Sequence, residues 1–180
     1  MRRHFAVIVF AVLGAAPAAA LELPARKPGL WQLDMTFVGR KLPPQSIKEC
    51  LDAATDKLMN ANVSGAGAGV TCSKQELSRS GATLTVDSVC TANGATVTSH
   101  AVVTGSFDSA YTVDVTSTRT GGPPMPGAAP GAPHESHTTI AAKWLGPCQP
   151  GQRAGDMIMG SGRTVNILDL QKQMQAAPKR

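Results

Sequence analysis

Residues 71–119 read TCSKQELSRSGATLTVDSVCTANGATVTSHAVVTGSFDSAYTVDVTSTR, and this stretch decides the fold class. Apolar and polar residues alternate in it with a period of two, which is typical of half-buried strands. Turn residues interrupt the alternation at Ser80-Gly81, at Gly94 and at Asp108-Ser109. Four strands are therefore predicted, over residues 71–79, 82–91, 95–107 and 110–119. Their regular spacing indicates an antiparallel meander that forms a barrel or a sandwich.

The alternation continues on both sides of this meander. A strand is predicted after Pro28-Gly29, with one face formed by Trp31, Leu33, Met35 and Phe37. Two further extended segments and a hairpin are predicted at residues 45–51, at residues 136–145 and around Ser161-Gly162. The protein is therefore expected to be mainly β.

Two short helices and two loops complete the expected architecture. Residues 52–60 favour a helix, and the Asp52 side chain is a candidate N-cap because it can accept from the free N–H groups of the first turn. Residues 167–176 favour a short C-terminal helix with an apolar side. The glycine-rich run 64–69 has no strand before it and no clear helix after it, which indicates a flexible loop and not a phosphate loop. Residues 121–133 hold four Gly and five Pro and predict a long, flexible, extended loop.

The first twenty residues have the three zones of a secretory signal peptide. Arg2 and Arg3 precede an apolar run at residues 5–13, and Ala18 and Ala20 occupy the small-residue positions of a cleavage site. Nine strongly apolar residues are too few to span a bilayer, which takes about 20. Cleavage is expected between Ala20 and Leu21, which leaves residues 21–180 as a single domain with no transmembrane segment. No cysteine follows the apolar run, so a lipid anchor is not expected.

Charge and cysteine content narrow the functional classes. The net charge of +5 falls to +3 when Arg2 and Arg3 leave with the signal, and no basic stripe with interleaved aromatic residues is present. Nucleic-acid binding is therefore not expected. Four cysteines in an exported chain predict two disulfides. The sequence contains no Cys-x-x-Cys pair, so a zinc site is not expected. The four are Cys50, Cys72, Cys90 and Cys148.

The predicted hairpin about Ser80-Gly81 suggests how the cysteines pair. If Arg79 faces Ala82, then Leu77 faces Leu84, and Cys72 and Cys90 lie on opposite faces of the sheet. Because the buried face fixes strand register, the preferred pairing is Cys50–Cys72 and Cys90–Cys148. The alternative is a slip of one residue, which places Cys72 opposite Cys90 but mixes apolar and polar residues on one face.

The order of these features resembles a known family. Pro28-Gly29-Leu30-Trp31 opens a strand, residues 44–51 read PQSIKECL, Cys72 and Cys90 flank Ser80-Gly81, and residues 144–148 read WLGPC. This pattern, over residues 28–148, resembles the bacterial domain-of-unknown-function family 3617. The resemblance implies a small exported protein of Gram-negative bacteria and therefore the periplasm. It supplies no catalytic residue, cofactor or ligand.

Candidate chemistry is sparse. His134 and His137 have a metal-like spacing, and neutral imidazoles bind copper or zinc, so a periplasmic metal-binding role is one hypothesis. The alternative is two surface histidines at the junction of a loop and a strand. Strand alternation places His100 on a solvent-facing side. No Gly-x-Ser-x-Gly elbow is present, and the cysteines are expected to be oxidised. An enzyme would need an unrecognised acid–base site, so a non-catalytic protein without a cofactor is expected.

The remaining hypothesis is a binding or accessory module of the cell envelope. Its occupant would be a small apolar ligand held between inward side chains of the sheet, or an envelope protein. Four aromatic residues are predicted to point inward and are the candidate ligand-binding residues: Trp31, Phe37, Tyr111 and Trp144. Packing of an ordinary core explains the same four residues.

Overall fold

A computed structural model describes residues 23–39, 42–63, 69–124 and 132–176. Three segments of the sequence analysis lie wholly or partly outside these ranges. They are the predicted signal peptide at residues 1–20 with its cleavage site, most of the glycine-rich run 64–69, and the centre of the predicted loop 121–133. The described part of the chain contains nine strands and two helices.

The strands are β1 (Gly29–Val38), β2 (Gln45–Leu51), β3 (Val70–Ser80), β4 (Thr83–Ala92), β5 (Ala95–Ser106), β6 (Ala110–Gly121), β7 (His134–Gly146), β8 (Asp156–Met159) and β9 (Thr164–Asn166). The helices are α1 (Ala53–Val63) and α2 (Ile167–Ala176). All neighbouring strands are antiparallel, in the order β3-β4-β5-β6-β7-β1-β2-β8-β9. The predicted mainly β meander with two short helices is confirmed. The sheet is open between its edge strands β3 and β9, and so it is not closed into the barrel that the sequence also allowed.

The register divides β3 to β7 and β1 into two chemically different faces. One row across the strands runs through Leu77, Val86, Ala101, Val115 and Thr138, and the adjacent row through Leu84, Val103, Val113, Ile140 and Met35. We call this side the apolar face. The opposite side carries Asp87, His100, Thr116 and His137 in one row, and we call it the polar face. The two faces follow from strict alternation along each strand.

The core lies at the end of the sheet formed by β1, β2, β8 and β9, where α1 and α2 pack. Its centre is Trp31, with no exposed surface, together with Leu51, Met59 and Ala142. Full burial of a side chain such as Leu51 or Met59 contributes about 1.5–3 kcal/mol. We call this part of the molecule the covered end, and the part formed by β3 to β7 the open end. In the described part of the chain, α1 contacts β2, α2 contacts β9 and the two helices contact each other, while Met59 of α1 packs in the core cluster with Trp31.

The start of α1 confirms the predicted N-cap. The Thr55 backbone N–H donates to Asp52 Oδ1 at 2.8 Å, and the Asp52 backbone N–H donates to Thr55 Oγ1 at 3.0 Å. This reciprocal pair satisfies two donors at the helix start. The hydrogen bond from the Thr55 backbone is the main cause that lowers the pKa of the Asp52 carboxyl. The predicted strand at residues 45–51 and the C-terminal helix are also confirmed.

The hairpin between β3 and β4 differs from the expected register, and the predicted disulfide pairing is wrong. Ser80 pairs with Thr83, so the turn is Gly81-Ala82 and not Ser80-Gly81. Gly81 has a φ of 60°, a left-handed conformation that favours glycine. This register keeps apolar side chains together because Leu77 faces Val86.

A β-bulge then corrects the register near the cysteines. The pairing shifts between Cys72 and Lys74, which adds one residue to β3. Without the bulge, the register at the turn would place Cys72 opposite Thr91, whereas with it Cys72 lies opposite Cys90. The disulfides are Cys72–Cys90, within this hairpin, and Cys50–Cys148, which joins β2 to the segment after β7. The expected pairs Cys50–Cys72 and Cys90–Cys148 assumed one uninterrupted register.

Candidate functional site

A groove crosses the polar face where β4, β5, β6 and β7 lie side by side next to the end of β1. Its volume is about 580 Å³. One row of paired residues runs along its floor, from Asp87 through His100 and Thr116 to His137. The adjacent row adds Thr98, Thr118 and Glu135. We call this the polar groove, and it is lined by imidazole, carboxylate and hydroxyl groups held on a rigid sheet.

His100 and Asp87 form the best-defined pair in the polar groove. They are cross-strand neighbours on β5 and β4, and His100 Nδ1 lies 2.8 Å from Asp87 Oδ1. With the proton on Nδ1, the imidazole donates to the carboxylate and its Nε2 atom becomes the accepting atom. The side chains remain 51% and 40% exposed, so both reach solvent.

His137 lies in the same row, two strands from His100. Neighbouring strands are about 4.8 Å apart, so the backbones of the two histidines are separated by about 10 Å. His137 Nε2 is 3.8 Å from Asp114 Oδ1, and Asp114 also accepts from the Thr139 hydroxyl at 2.7 Å. The groove therefore presents two imidazoles, each next to a carboxylate, at a separation that one small molecule can bridge.

The floor of the groove is braced from the other side of the sheet. Hydroxyl groups of Ser88 and Ser99 are 2.7 Å apart, and those of Ser117 and Ser136 are 2.8 Å apart. Each pair links two neighbouring strands beneath the groove. Such bonds restrict the relative motion of the strands that carry the lining side chains, and a preorganised site loses less conformational entropy on binding.

The His100–Asp87 pair has the chemistry of a general base held by a carboxylate. Nucleophilic catalysis would also need a hydroxyl or thiol within hydrogen-bond reach of the other ring nitrogen. Within the described ranges, the side-chain hydrogen bonds of the His100 ring go to Asp87 alone. The four cysteines are in disulfides and supply no thiolate. The imidazole, carboxylate and hydroxyl groups of the polar groove can each take part in hydrogen bonds with a ligand.

The proposed metal pair His134 and His137 is not brought together. Both residues lie on β7, three positions apart, and alternation sends them to opposite faces of the sheet. His134 pairs with Arg119 in the register of the apolar face, whereas His137 pairs with Thr116 in the polar groove. In the described residues, no group of three or more His, Cys, Asp or Glu side chains is placed to hold a metal ion.

Three of the four candidate aromatic residues meet at the core, where Tyr111 and Trp144 are partly buried and pack against the cluster that contains Trp31. The rings of Trp31 and Tyr111 are 5.5 Å apart, and Phe107 stacks on Tyr111 at 4.8 Å. Trp31 Nε1 donates to the Lys27 carbonyl at 2.8 Å, and Trp144 Nε1 donates to the Pro28 carbonyl at 3.1 Å. Their polar atoms are thus bonded to the segment that precedes β1.

The fourth aromatic, Phe37, lies near the other end of β1 and pairs with Thr138 on the apolar face. It is separated from Trp31 by six residues of extended strand, which is about 20 Å. The four aromatic residues therefore do not form one ligand site.

A buried ion cluster beside the aromatic core was not anticipated from the sequence. Arg26 Nε donates to Asp56 Oδ1 at 2.6 Å, and one terminal guanidinium nitrogen donates to Glu49 Oε2 at 2.8 Å. The Arg26 backbone N–H also donates to Asp56 Oδ2 at 3.0 Å. The three side chains are 6%, 12% and 2% exposed. We call Arg26, Glu49 and Asp56 the buried ion cluster.

The cluster ties the segment before β1 to α1 and β2. Burial opposes the charge of Arg26, but Tyr111, Glu49 and Asp56 outweigh it and raise the pKa of the guanidinium. For the Tyr111 phenol, burial disfavours the charged form and therefore raises the pKa. Its oxygen is 3.5 Å from Arg26 Nη1. The three charged side chains are largely buried and bonded to one another, so they are poorly placed to bind a ligand. No periodic pattern surrounds Arg26 in the sequence. The only sequence signal for the buried ion cluster is the position of an arginine just before an apolar strand.

Together these features define a single-sheet antiparallel β protein with two disulfides and a histidine-containing groove on its polar face. Residues 26–148, more than half of the chain, match the family described as "Protein of unknown function (DUF3617)", and the chain belongs to that family. The match begins at Arg26 of the buried ion cluster and ends at Cys148 of the longer disulfide loop. No curated protein and no solved structure matches the chain. Neither helix in the described ranges has the length and apolar character needed to cross a bilayer.

Proposed function

We propose that this protein is an exported, non-catalytic binding module of the cell envelope whose ligand occupies the polar groove. The observation that carries this proposal is the placement of His100 and His137, each beside a carboxylate, in one groove of about 580 Å³. Two disulfides are consistent with an oxidising compartment, and the sequence of residues 1–20 favours the periplasm.

The lining groups favour a small hydrophilic ligand over the apolar one considered from the sequence. Threonine hydroxyls and imidazoles both donate and accept hydrogen bonds, whereas Trp31, Tyr111 and Trp144 pack in or against the core and not in the groove. Asp87 and Glu135 line the groove and disfavour an anion through like-charge repulsion. The ligand class is therefore a neutral or cationic molecule with several hydrogen-bonding groups, or polar side chains of an envelope partner.

The openness of the groove favours binding over catalysis. His100 and His137 keep 51% and 43% of their side-chain surface exposed. Acid–base chemistry gains most in a site that excludes water, because electrostatic interactions strengthen there. An open groove on a preorganised sheet can instead hold a ligand by many weak hydrogen bonds.

The test is a titration followed through the His Cε1–H resonances of the full exported chain. Three probes of similar size separate the ligand classes: a neutral disaccharide, a linear diamine and a dicarboxylate. The proposal predicts saturable shifts at His100 and His137 with one of the first two probes and none with the dicarboxylate. His134 lies on the opposite face of β7 and serves as the internal control.

Native mass spectrometry of protein isolated from the periplasm provides the unbiased arm of the same test. A co-purified hydrophilic molecule that is lost in a His100→Ala/His137→Ala variant supports the proposal. An apolar molecule retained by that variant would assign the ligand to another part of the sheet. N-terminal sequencing of the same sample tests the expected start at Leu21.

A further inference from the structure

We infer that the apolar face is a second binding site, which takes a single-chain phospholipid with an anionic phosphate headgroup. The polar groove lies on the opposite side of the same strands, so the two sites use different side chains and select different classes of ligand. The inference therefore does not depend on the occupant of the polar groove. Three features of the apolar face support it: apolar rows that extend beyond the helices, a row of serine hydroxyls, and a cationic end.

The apolar rows continue past the part of the sheet where the helices pack. In the described part of the chain, α1 contacts β2 and α2 contacts β9, both at the covered end. Val113 and Val115 of β6 are half-buried, so part of their surface is accessible, and Val113 pairs with the buried Val103 of β5. Contiguous apolar surface of this kind marks interaction sites. The rows can accept an acyl chain that lies along the strands.

A row of serines borders the apolar rows. It consists of successive cross-strand neighbours on β4 to β7: Ser88, Ser99, Ser117 and Ser136. Their hydroxyls form two pairs, with oxygens 2.7 and 2.8 Å apart. In each pair one hydroxyl donates to the other, and the accepting hydroxyl keeps its own hydrogen, which can donate to a ligand oxygen. The row therefore suits the ester and glycerol oxygens that join an acyl chain to a phosphate.

The next row ends in two basic side chains. Arg119 of β6 pairs directly with His134 of β7, which places their Cβ atoms about 5 Å apart. The Arg119 guanidinium donates to the Pro123 carbonyl, a neutral acceptor, at 3.3 Å. None of the ion pairs among the described residues includes Arg119. A guanidinium has five N–H donors and binds phosphate through charge-assisted hydrogen bonds, so this end of the row can hold a phosphate group.

The distribution of charge over the two faces determines the sign of the headgroup. All the carboxylates of β3 to β7 lie on the polar face: Glu76, Asp87, Asp114 and Glu135. The apolar face of these strands carries Arg79, Arg119 and His134 and no carboxylate. An anion at Arg119 is therefore attracted by the guanidinium and meets no like charge on that face.

The spacing along β6 separates a phospholipid from a fatty acid. Val115, Ser117 and Arg119 are successive residues on the same face, so the last apolar row and Arg119 are about 13 Å apart. The serine row fills that interval. A glycerol linker spans such a polar interval between chain and phosphate, whereas the carboxylate of a fatty acid is attached directly to its chain.

The experiment measures the affinity of the full chain for three lauroyl compounds by isothermal titration calorimetry, each below its micelle-forming concentration. Lauroyl lysophosphatidate carries the phosphate, monolauroylglycerol lacks only the phosphate, and laurate lacks the glycerol. We expect lysophosphatidate to bind at least about tenfold more tightly than either of the others. Equal affinity for lysophosphatidate and monolauroylglycerol would overturn the inference, and tighter binding of laurate would overturn the assignment to a phospholipid.

Two arginine variants test the cationic end. Arg119→Gln should abolish the preference for lysophosphatidate over monolauroylglycerol and leave the affinity for monolauroylglycerol unchanged. Arg79→Gln is the matched control, because it removes an equal charge from an exposed position on the same face, opposite Leu84 at the far end of the apolar rows. A preference that survives Arg119→Gln, or that is lost equally in both variants, would contradict a phosphate site at Arg119.

The His Cε1–H resonances locate the bound lipid. Lauroyl lysophosphatidate should shift the resonance of His134, next to Arg119, and leave those of His100 and His137 unchanged on the other face. A His100→Ala/His137→Ala variant should bind the lipid as the wild type does, so failure of the polar groove and failure of this site give different results. Shifts at His100 or His137 without a shift at His134 would overturn the inference.

Discussion

The covered end and the open end of the sheet use similar side chains for different purposes. Each end has one disulfide and its own pairs of a basic side chain with a carboxylate. At the covered end, Arg26 is 6% exposed and bonds to two carboxylates, whereas at the open end His100 is 51% exposed and bonds to one. A buried charge must be paired because desolvation is costly, but an exposed charge has water as an alternative partner. Stability should therefore depend on the charged pairs of the covered end, whereas the pairs of the open end remain available for ligands.

The largest effect that tests this comparison is expected for Arg26→Ala. Removing the guanidinium leaves Asp56 and Glu49 buried without their common partner, and breaking such a pair costs about 3–5 kcal/mol. Urea unfolding followed by Trp fluorescence would measure the change, because Trp31 lies in the adjacent core.

Arg153→Ala is the matched control for that prediction. Arg153 also bonds an aspartate, Asp169, at 2.9 Å, but their side chains are 67% and 44% exposed. We expect only a small shift of the unfolding midpoint in this variant. Equal losses in the two arginine variants would contradict the view that burial separates the two kinds of pair.

The second prediction compares the two disulfides. They join cysteines 98 and 18 positions apart, so the longer loop restricts the unfolded chain more, by about 1.5 kcal/mol in the loop-entropy description. The Cys50→Ser/Cys148→Ser variant should be less stable than Cys72→Ser/Cys90→Ser by that amount. Chemical denaturation of both variants under non-reducing conditions measures the difference. The opposite order would mean that the open end contributes more to stability than its exposure suggests.

A third prediction concerns the start of α1, next to the buried ion cluster. Asp52→Ala removes the cap that binds the Thr55 N–H and should destabilise the protein by about 1 kcal/mol. The pKa of Asp52 is lowered in the folded state below its ordinary value of 3.8, so its contribution is complete above that value. It is lost as the pH falls through the lower folded pKa.

Thermal unfolding of wild type and Asp52→Ala between pH 7 and pH 2 measures this dependence. The stability difference should be constant at neutral pH and should shrink only under acidic conditions. Asp52→Asn is the matched control, since an amide oxygen also caps a helix without titrating. A difference that persists unchanged at pH 2 would argue that Asp52 acts through packing and not through its charged cap.

The sequence predicted local structure well because alternation and capping are encoded by neighbouring residues. The face shared by Trp31, Leu33 and Met35, the N-cap at Asp52 and the C-terminal helix all rest on such short-range patterns. The disulfide pairing failed because one bulged residue next to Cys72 has no signature in composition or period. A shift of one residue is enough to exchange the faces of a strand.

The candidate site required information that is not local. Alternation placed His100 on a solvent-facing side, but its neighbour Asp87 is thirteen residues away and His137 is on a strand that is reached through the 121–133 loop. Only the registers of three successive strand pairs bring these residues into one row. By the same logic, the close sequence spacing of His134 and His137 was misleading, because three positions along a strand reverse the face.

The smallest effect on stability, and the last way to test the comparison, is expected for His100→Ala and His137→Ala. Each removes one exposed imidazole with a single carboxylate neighbour, so each should change the free energy of unfolding by about 0.5 kcal/mol or less. Both should nevertheless weaken binding of the responsive probe in the polar groove, whereas His134→Ala, on the other face of β7, should not. Parallel denaturation and titration of the three variants separates the two roles. If His137→Ala lost stability on the scale of Arg26→Ala, the groove residues would stabilise the fold. The open end would then differ from the covered end in exposure but not in its contribution to stability.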